Sequence, residues 1–239
     1  MNPTKIEYLT HTWNPLAMRC SIVSEGCHNC WHLRMCDRLA ANPAISQEER
    51  VAYSDGGMPP VMTTRINEPL KLKKPARIGV QFMGDLFHPR IILPTILRIF
   101  DRMQQAPQHV FLVLTKRPER MLEFCKHYGI GDTEEWPVNV WAGVTVEKQG
   151  WSGKRIPALL QIPAAKRFVS IEPILGPVDM SPYLPSLDWV IVGGETGPHA
   201  RPANAEWFNN LINQCKAARV PIFVKKAPDG VDIIREYPA

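Results

Sequence analysis

The chain has 239 residues, of which 45% are hydrophobic and 21% are charged, and its formal net charge is +5. This balance is typical of a folded globular protein and excludes a disordered, low-complexity or collagen-like chain. No apolar run is long enough to cross a membrane, so we expect no membrane partner. The length fits one domain that covers residues 1–239.

The six cysteines indicate a reducing compartment. The first residues lack the basic and then apolar pattern of a secretory signal, so we expect a cytoplasmic protein whose thiols are available to a metal rather than joined in disulfides. The basic residues are dispersed, and their densest run, at 71–74, is typical of a solvated face. The positive charge therefore permits a nucleic-acid partner without specifying one.

Three cysteines, Cys20, Cys27 and Cys30, lie between an apparent first strand and a helical segment. Three thiolates on one short loop can bind three irons of a [4Fe-4S] cluster and leave the fourth iron open to an external ligand. That arrangement is required for radical chemistry with S-adenosylmethionine (SAM). The other three cysteines, Cys36, Cys125 and Cys215, are scattered in helix-like segments.

The same loop is also consistent with a zinc site. The pair Cys27-x-x-Cys30, with His28 or His32 close by, is typical of half of such a site, although no second pair follows at the usual spacing. A further ligand could come from Cys20, His11 or Cys36. Unliganded or redox-active thiols are a third interpretation, and the cysteine spacing alone leaves all three open.

A long segment at 41–76 follows the first helix. It contains Asn-Pro, Asp-Gly-Gly, Pro-Pro and Glu-Pro sequences, which break regular structure. We therefore expect a long excursion here, in the form of a loop that could cover a site.

Six apolar runs rich in Val, Ile and Phe punctuate the rest of the chain. They are nearly continuous rather than alternating, which predicts parallel strands buried on both faces, at 77–83, 109–114, 139–144, 167–171, 188–192 and 220–224. Helix-like segments lie between them at 89–105, 118–127, 152–161 and 204–218. This alternation predicts an α/β fold, and we favour a partial TIM-type barrel of six or seven strands. No Gly-x-Gly-x-x-Gly follows the first strand, so a dinucleotide-binding sheet has little support.

Polar residues follow all six predicted strands. In parallel barrels the reacting groups lie at the C-terminal ends of strands, so we expect a ligand site there, although each residue taken singly could be a turn, a cap or a surface charge. Gly193 and Gly194 would let backbone amides approach a ligand, and Glu195 could accept a hydrogen bond from an ammonium group. The other candidates are Gly84, Asp85, His88, Thr115, Lys116, Arg117, Glu147, Glu172, Lys225 and Lys226.

Several separated motifs, in this order, resemble the phage-associated three-cysteine family, a family of unknown function. They lie at 12–15, 20–30, 83–88, 114–120, 168–177 and 188–202. The family in turn resembles radical SAM proteins, nearest in style to spore photoproduct lyases. The likeness covers almost the whole chain. It implies a partial TIM barrel of the radical SAM type.

The resemblance also implies a [4Fe-4S] cluster held by Cys20, Cys27 and Cys30, with SAM bound at the open iron. Reductive cleavage of SAM would start hydrogen abstraction from a substrate, such as a nucleobase or modified base in phage DNA, and would need a flavodoxin- or ferredoxin-type reductant. The usual radical SAM loop has three residues between its first two cysteines, whereas this chain has six. Trp31, after the third cysteine, is the candidate for packing on the adenine.

Two residues are candidate hydrogen donors, namely Cys36 and Cys125, although a helical cysteine is more often a small core residue. Two other functions remain open. One is a non-catalytic barrel, stabilised by zinc, that binds a protein or nucleic acid. The other is an iron–sulfur protein that carries electrons without SAM.

Overall fold

The computed structural model describes residues 1–54 and 57–239. In these ranges the chain has a mixed α/β fold with mostly parallel strands and seven α-helices. Its residues group into two compact units, one formed by 1–114 with 137–140 and the other by 115–136 with 141–239. Each unit contains parallel strands and buried residues of its own.

The strands of the first unit form two groups. They are β1 (Asn2–Pro3), β2 (His11–Trp13), β3 (Leu16–Ala17), β4 (Val61–Met62), β5 (Arg77–Val80) and β6 (Val110–Thr115, whose last residue belongs to the second unit). β1 pairs antiparallel with β2, and β2, β5 and β6 are parallel neighbours in that order. β3 and β4 form a separate antiparallel pair. The strands predicted at 77–83 and 109–114 are therefore confirmed.

Four helices belong to the first unit: α1 (Trp31–Ala40), α2 (Gln47–Ser54), α3 (Glu68–Lys71) and α4 (Leu93–Gln104). Short 3₁₀ helices occupy Glu25–Cys27 and Thr64–Asn67. The helix predicted at 89–105 is α4, which begins later than predicted because the residues before Leu93 form turns. Pro94 lies in the first turn of the helix, where no backbone hydrogen bond is lost.

The segment 41–76 is more ordered than a loop. It contains α2, β4 and α3. α2 is stabilised because its residues Ala52 and Tyr53 bury their side chains against Ala17 and Cys36. Burial of these side chains therefore outweighs the breakers around α2. The Asp-Gly part of the predicted Asp-Gly-Gly break, at 55–56, lies outside the described residues.

The second unit contains four parallel strands in chain order. They are β7 (Val140–Thr145, whose first residue belongs to the first unit), β8 (Arg167–Ile171), β9 (Trp189–Val192) and β10 (Ile222–Val224). Its helices are α5 (Pro118–His127), α6 (Gln149–Leu159) and α7 (Ala205–Ala218). Asn204 begins α7 by accepting a hydrogen bond from the Glu206 amide (2.9 Å), and Arg219 ends it in a left-handed conformation. All four predicted strands and all three predicted helices of this unit are found.

The chain after β10 returns alongside that strand. The amide of Val224 donates to the carbonyl of Ile234 (2.7 Å), and the amide of Glu236 donates to the carbonyl of Ile222 (3.1 Å). The ring of Tyr237 packs on Trp189, with 5.6 Å between the centroids. Residues 234–237, called the C-terminal tail below, therefore pair with the last strand of this unit.

The order of the strands can be compared with that of the predicted barrel. In both units the parallel strands are neighbours in chain order, as in successive βα units. The pairings of the described residues do not close into a barrel. The α/β architecture is confirmed, whereas the partial TIM-type barrel and the single domain remain predictions. No helix in the described ranges is both long and apolar enough to cross a membrane.

Candidate functional site

Cys20, Cys27 and Cys30 lie on the loop between β3 and α1. The amide of Cys27 donates to the carbonyl of Ser24 (2.9 Å) and the amide of Cys30 donates to that of Cys27 (3.2 Å), which folds this end of the loop into consecutive turns. Cys30 directly precedes α1 as its N-cap residue. All three thiols are partly exposed, and none is joined in a disulfide. Across the described ranges, no three His, Cys, Asp or Glu side chains are gathered into a group that would hold one metal ion.

The other three cysteines are buried. Burial raises the pKa of the Cys36 thiol to about 11 and raises the pKa of both Cys125 and Cys215 to about 12. Negative charge on Cys20 or Cys30 acts on the pKa of Cys36 in the same direction as burial does. A thiol with a raised pKa is a poor nucleophile near neutral pH. The roles of Cys36 and Cys125 as hydrogen donors stay predictions.

His32, a candidate ligand in the zinc interpretation, is also buried. It lies one turn before Cys36 on α1, with 3.4 Å between its Nε2 and the Cys36 sulfur. Burial lowers the pKa of His32 to about 4, so its ring is neutral near pH 7. The fold therefore places His32 and Cys36 in the core beneath the loop, whereas Cys20, Cys27 and Cys30 are partly open to solvent.

We expect iodoacetamide to modify Cys20, Cys27 and Cys30 in the reduced native protein and to spare the other three cysteines. Alkylation requires an accessible thiolate, and the buried thiols lack both access and charge at about pH 8. Peptide mass spectrometry after a timed reaction measures this for each cysteine. Full modification in denaturant is the control, and rapid native labelling of Cys125 or Cys215 would contradict the prediction.

The loop after β5 packs against the start of the cysteine loop. The side-chain amide of Gln81 accepts from the Leu16 amide (3.0 Å) and donates to the Leu16 carbonyl (3.0 Å). The amide of Met83 in turn donates to the side chain of Asn14 (2.8 Å). These contacts join the strand that leads into the cysteine loop to the segment that carries Gly84, Asp85 and His88.

His88 and Arg90 reach the residues on either side of Cys20. His88 is buried, and its Nε2 lies 2.9 Å from the Ser21 hydroxyl oxygen. Its Nδ1 accepts from the Arg90 amide (3.2 Å), so a ring proton is on Nε2, which donates to Ser21. The guanidinium of Arg90 donates to the carbonyls of Arg19 and Met58.

Gly84 and Asp85, both predicted to contact a ligand, have clear structural roles in this loop. Gly84 has a φ of +136°, and a Cβ on it would lie 2.8 Å from the Met18 sulfur, so only glycine fits. The buried carboxylate of Asp85 accepts from the Phe87 amide (3.0 Å) and so shapes the turn before His88. Their predicted contact with SAM stays a prediction.

Trp31, the predicted adenine partner, begins α1 directly after Cys30. Its side chain is 44% exposed, which is unusual for so large an apolar group. It meets the ring of His32 edge-on at 6.1 Å. Trp31 therefore presents an aromatic surface to solvent beside the thiols.

Glu147, in the second unit, is held by two cations where β7 ends. Its side chain is fully buried, and its two oxygens lie 2.5 Å from Lys116 Nζ and 2.7 Å from Arg155 Nη1. Arg155, on α6, also donates to the Thr145 carbonyl (2.7 Å) and lies over the ring of Trp151. This network joins three segments of the second unit, namely the residues that precede α5, those that follow β7, and α6. Thr115 accepts from the Arg117 amide (2.9 Å) and so orders the start of α5.

Glu172 and Glu195 are also paired. Lys225 Nζ lies 2.5 Å from Glu172, and a Cβ on Gly193 would lie 3.3 Å from that carboxyl group. Glu195 accepts from both the backbone amide (2.8 Å) and the guanidinium of Arg201, which closes its own loop. Gly194 donates its amide to the Lys226 carbonyl (2.7 Å). The predicted ligand contacts of these residues stay predictions.

A family model matches residues 3–231, and the family is described as "Protein of unknown function (DUF5131)". The chain belongs to this family. No match was found among curated proteins or among solved structures. Membership confirms the resemblance to a family of unknown function, whereas the association with phages and the relationship to radical SAM proteins remain proposals.

In this DUF5131 chain the predicted site residues fall into two groups, one in each unit. The first unit contains Cys20, Cys27, Cys30, Trp31, Gly84 and Asp85, and the second contains Thr115, Lys116, Glu147, Glu172, Gly193, Gly194 and Glu195. Sequence reasoning missed two buried partners, Gln81 and Arg155, and two partly exposed ones, Arg90 and Arg201. Only Arg155 had a usable signal, because it stands beside Ile156 on the inner face of a predicted helix, where a cation needs an acidic partner.

Proposed function

We propose that this protein is a radical SAM enzyme whose cluster is held by Cys20, Cys27 and Cys30. The observation that carries the proposal is the division of the six cysteines. The three that share one short loop are partly exposed, whereas the other three are buried. Cysteines that serve only in packing are usually buried, so three partly exposed thiols on one loop are better explained as metal ligands.

The donor set fits a [4Fe-4S] cluster. Three thiols can bind three irons, and the reducing cytoplasm in which we place the protein would keep them available to a metal. Cys30 lies at the N-terminus of the ten-residue helix α1, where the helix dipole favours the negative charge of a bound thiolate. When bound and reduced, the cluster would supply the electron that cleaves SAM.

The chain's own residues would provide binding and orientation. The exposed ring of Trp31 lies directly after Cys30 and offers a surface for the adenine of SAM. In the second unit, Lys116 and Lys225 reach the ends of strands and are each about one-fifth exposed, so either ammonium group can also meet an anionic ligand group. Their carboxylate partners, Glu147 and Glu172, hold them in place.

The substrate, reductant and origin follow from the resemblance. We propose a nucleobase or modified base in phage DNA as the substrate, which the net charge of +5 supports because an anionic partner is attracted. A flavodoxin- or ferredoxin-type protein would supply the electron. Neither partner requires a membrane, and the described helices offer no membrane-spanning segment.

The test is anaerobic reconstitution with iron and sulfide, followed by EPR of the reduced protein with and without SAM. We expect about four irons per chain and a cubane signal that changes when SAM is added. Cys27→Ala should lose the signal and most of the iron. Cys125→Ala is the matched control, because it also removes one thiol but from the core, and it should keep both.

The other outcomes identify the rival functions. Stoichiometric zinc without iron would reject the radical SAM proposal and favour the zinc-stabilised binding protein. A cluster whose EPR signal does not respond to SAM would favour a protein that carries electrons only.

A further inference from the structure

The three cysteines of the loop are held in different ways. Cys27 and Cys30 are placed by local turns, in which each amide bonds to a carbonyl three residues earlier. Cys20 is separated from Cys27 by six residues, so the same turns do not determine its position. A longer connection leaves more conformations open to the free loop, and this freedom must be removed by contacts from elsewhere.

Those contacts come from the loop after β5. His88 donates from Nε2 to the Ser21 hydroxyl (2.9 Å), directly after Cys20. Arg90 donates to the carbonyl of Arg19, directly before Cys20. The backbone is thus held on both sides of this one cysteine, by two residues that lie close together in sequence.

Each of the two donors is itself fixed. The His88 ring is buried, and the Arg90 amide holds its Nδ1 so that Nε2 must carry the proton. The Arg90 guanidinium also donates to the Met58 carbonyl, which fixes the plane of the group. Gln81 anchors the same loop to Leu16 through two buried hydrogen bonds. The loop after β5 is therefore a firm support for Cys20.

We propose that His88 and Arg90 are positioning residues that hold the Cys20 thiol in the place it needs as a ligand. The purpose of the positioning rests on the proposed function, because it assumes that Cys20 binds the cluster. The positioning itself does not depend on any metal. It also explains how this loop tolerates six residues between its first two cysteines. Distant side chains do for Cys20 what a short turn does for Cys27 and Cys30.

The first test uses the full-length apo protein, reduced and anaerobic. We expect His88→Ala to increase the rate of iodoacetamide modification of Cys20 about five-fold, the factor that corresponds to a hydrogen bond of about 1 kcal/mol. The rates at Cys27 and Cys30 should stay within about two-fold of wild type, since local turns hold those residues. Ser21→Ala removes the same hydrogen bond from the other side and should have the same effect. Because Ser21 is exposed, this variant also keeps the test valid if His88→Ala fails to fold.

A conservative variant separates positioning from packing. The amide nitrogen of His88→Gln can donate to Ser21, so it should restore the slow Cys20 rate. Adding His88→Ala to Ser21→Ala should give little further increase, because both changes remove one interaction. Unchanged Cys20 rates in both single variants would overturn the proposal. An equal increase at Cys20, Cys27 and Cys30 would overturn it too, because the whole loop would then have loosened.

The second test uses reconstituted protein. We expect His88→Ala to change the EPR signal of the reduced cluster while Cys125→Ala leaves it unchanged, because a displaced ligand alters the geometry around one iron. If wild-type protein binds no cluster, the proposed function fails, whereas the alkylation rates still decide whether His88 positions Cys20, and the same measurement on Arg90→Met decides it for Arg90.

Discussion

Replacing Arg155 with methionine should lower the free energy of unfolding by about 3 kcal/mol. Arg155 is 2% exposed and pairs with Glu147, whose carboxylate is fully buried. Methionine fills similar space but leaves one carboxylate oxygen and the Thr145 carbonyl without this donor. The remaining pair with Lys116 limits the loss but does not replace the missing hydrogen bonds.

Thermal unfolding measures this effect, with an expected fall in melting temperature of roughly 6–12 °C for a chain of this size. Arg120→Met is the matched control, because Arg120 pairs with the largely exposed Glu123 three residues away and should cost less than about 1 kcal/mol. Replacing Glu147 and Arg155 together by methionine should cost less than Arg155→Met alone, since the fully buried carboxylate is then removed with its guanidinium partner and Lys116, which also loses Glu147, is about one-fifth exposed. Equal losses for Arg155→Met and Arg120→Met would contradict the assignment of Glu147 as a buried, paired carboxylate.

High pH should destabilise the protein through its buried thiols. Burial raises the pKa of Cys125 from 9.0 to about 12 and does the same for Cys215. Between these values the unfolded thiol releases its proton while the folded thiol keeps it, so the unfolded state binds fewer protons and stability falls as pH rises. At about pH 10.5 each thiol should have lowered the free energy of unfolding by about 2 kcal/mol relative to about pH 8.

Chemical denaturation at the two pH values measures that loss in wild type and in Cys125→Ala. The variant is less stable at both because it leaves a cavity, but its pH-dependent loss should be smaller by about 2 kcal/mol. Val144→Ala removes a buried side chain that carries no titratable group, so it should keep the wild-type pH dependence. An identical pH dependence in wild type and Cys125→Ala would show that the thiol ionises equally well in both states.

The strands and most helices could be predicted because their signals are local. Runs such as 110–115 and 189–192 are continuously apolar, and a strand buried on both faces needs that pattern. The segment 41–76 was harder, because its breakers are visible in the sequence but the surface that covers Ala52 and Tyr53 is not. The helix α2 in this segment is stabilised by burial against residues distant in the sequence, which outweighs the local preferences.

The candidate site could be predicted by residue type but not by partner. A carboxylate after each of three neighbouring strands is visible in the sequence, and the structure places Glu147, Glu172 and Glu195 at the ends of β7, β8 and β9. The cations that pair with these carboxylates lie 6 to 53 residues away in the sequence, so the fold decides which cation pairs with which carboxylate. The hydrogen bond between His88 and Ser21 joins residues 67 positions apart, and neither local sequence contains a pattern that predicts it.

The C-terminal tail has a consequence for how molecules of this protein meet one another. The last strand of a sheet exposes a row of unpaired amides and carbonyls, which invites a strand of another chain to add to it. Here Ile234 and Glu236 occupy those groups on β10, and Tyr237 covers the ring of Trp189. If a fusion or a cleavage pulled this tail away, the amides and carbonyls of β10 would be exposed to strands of other chains, so we expect such a change to promote aggregation.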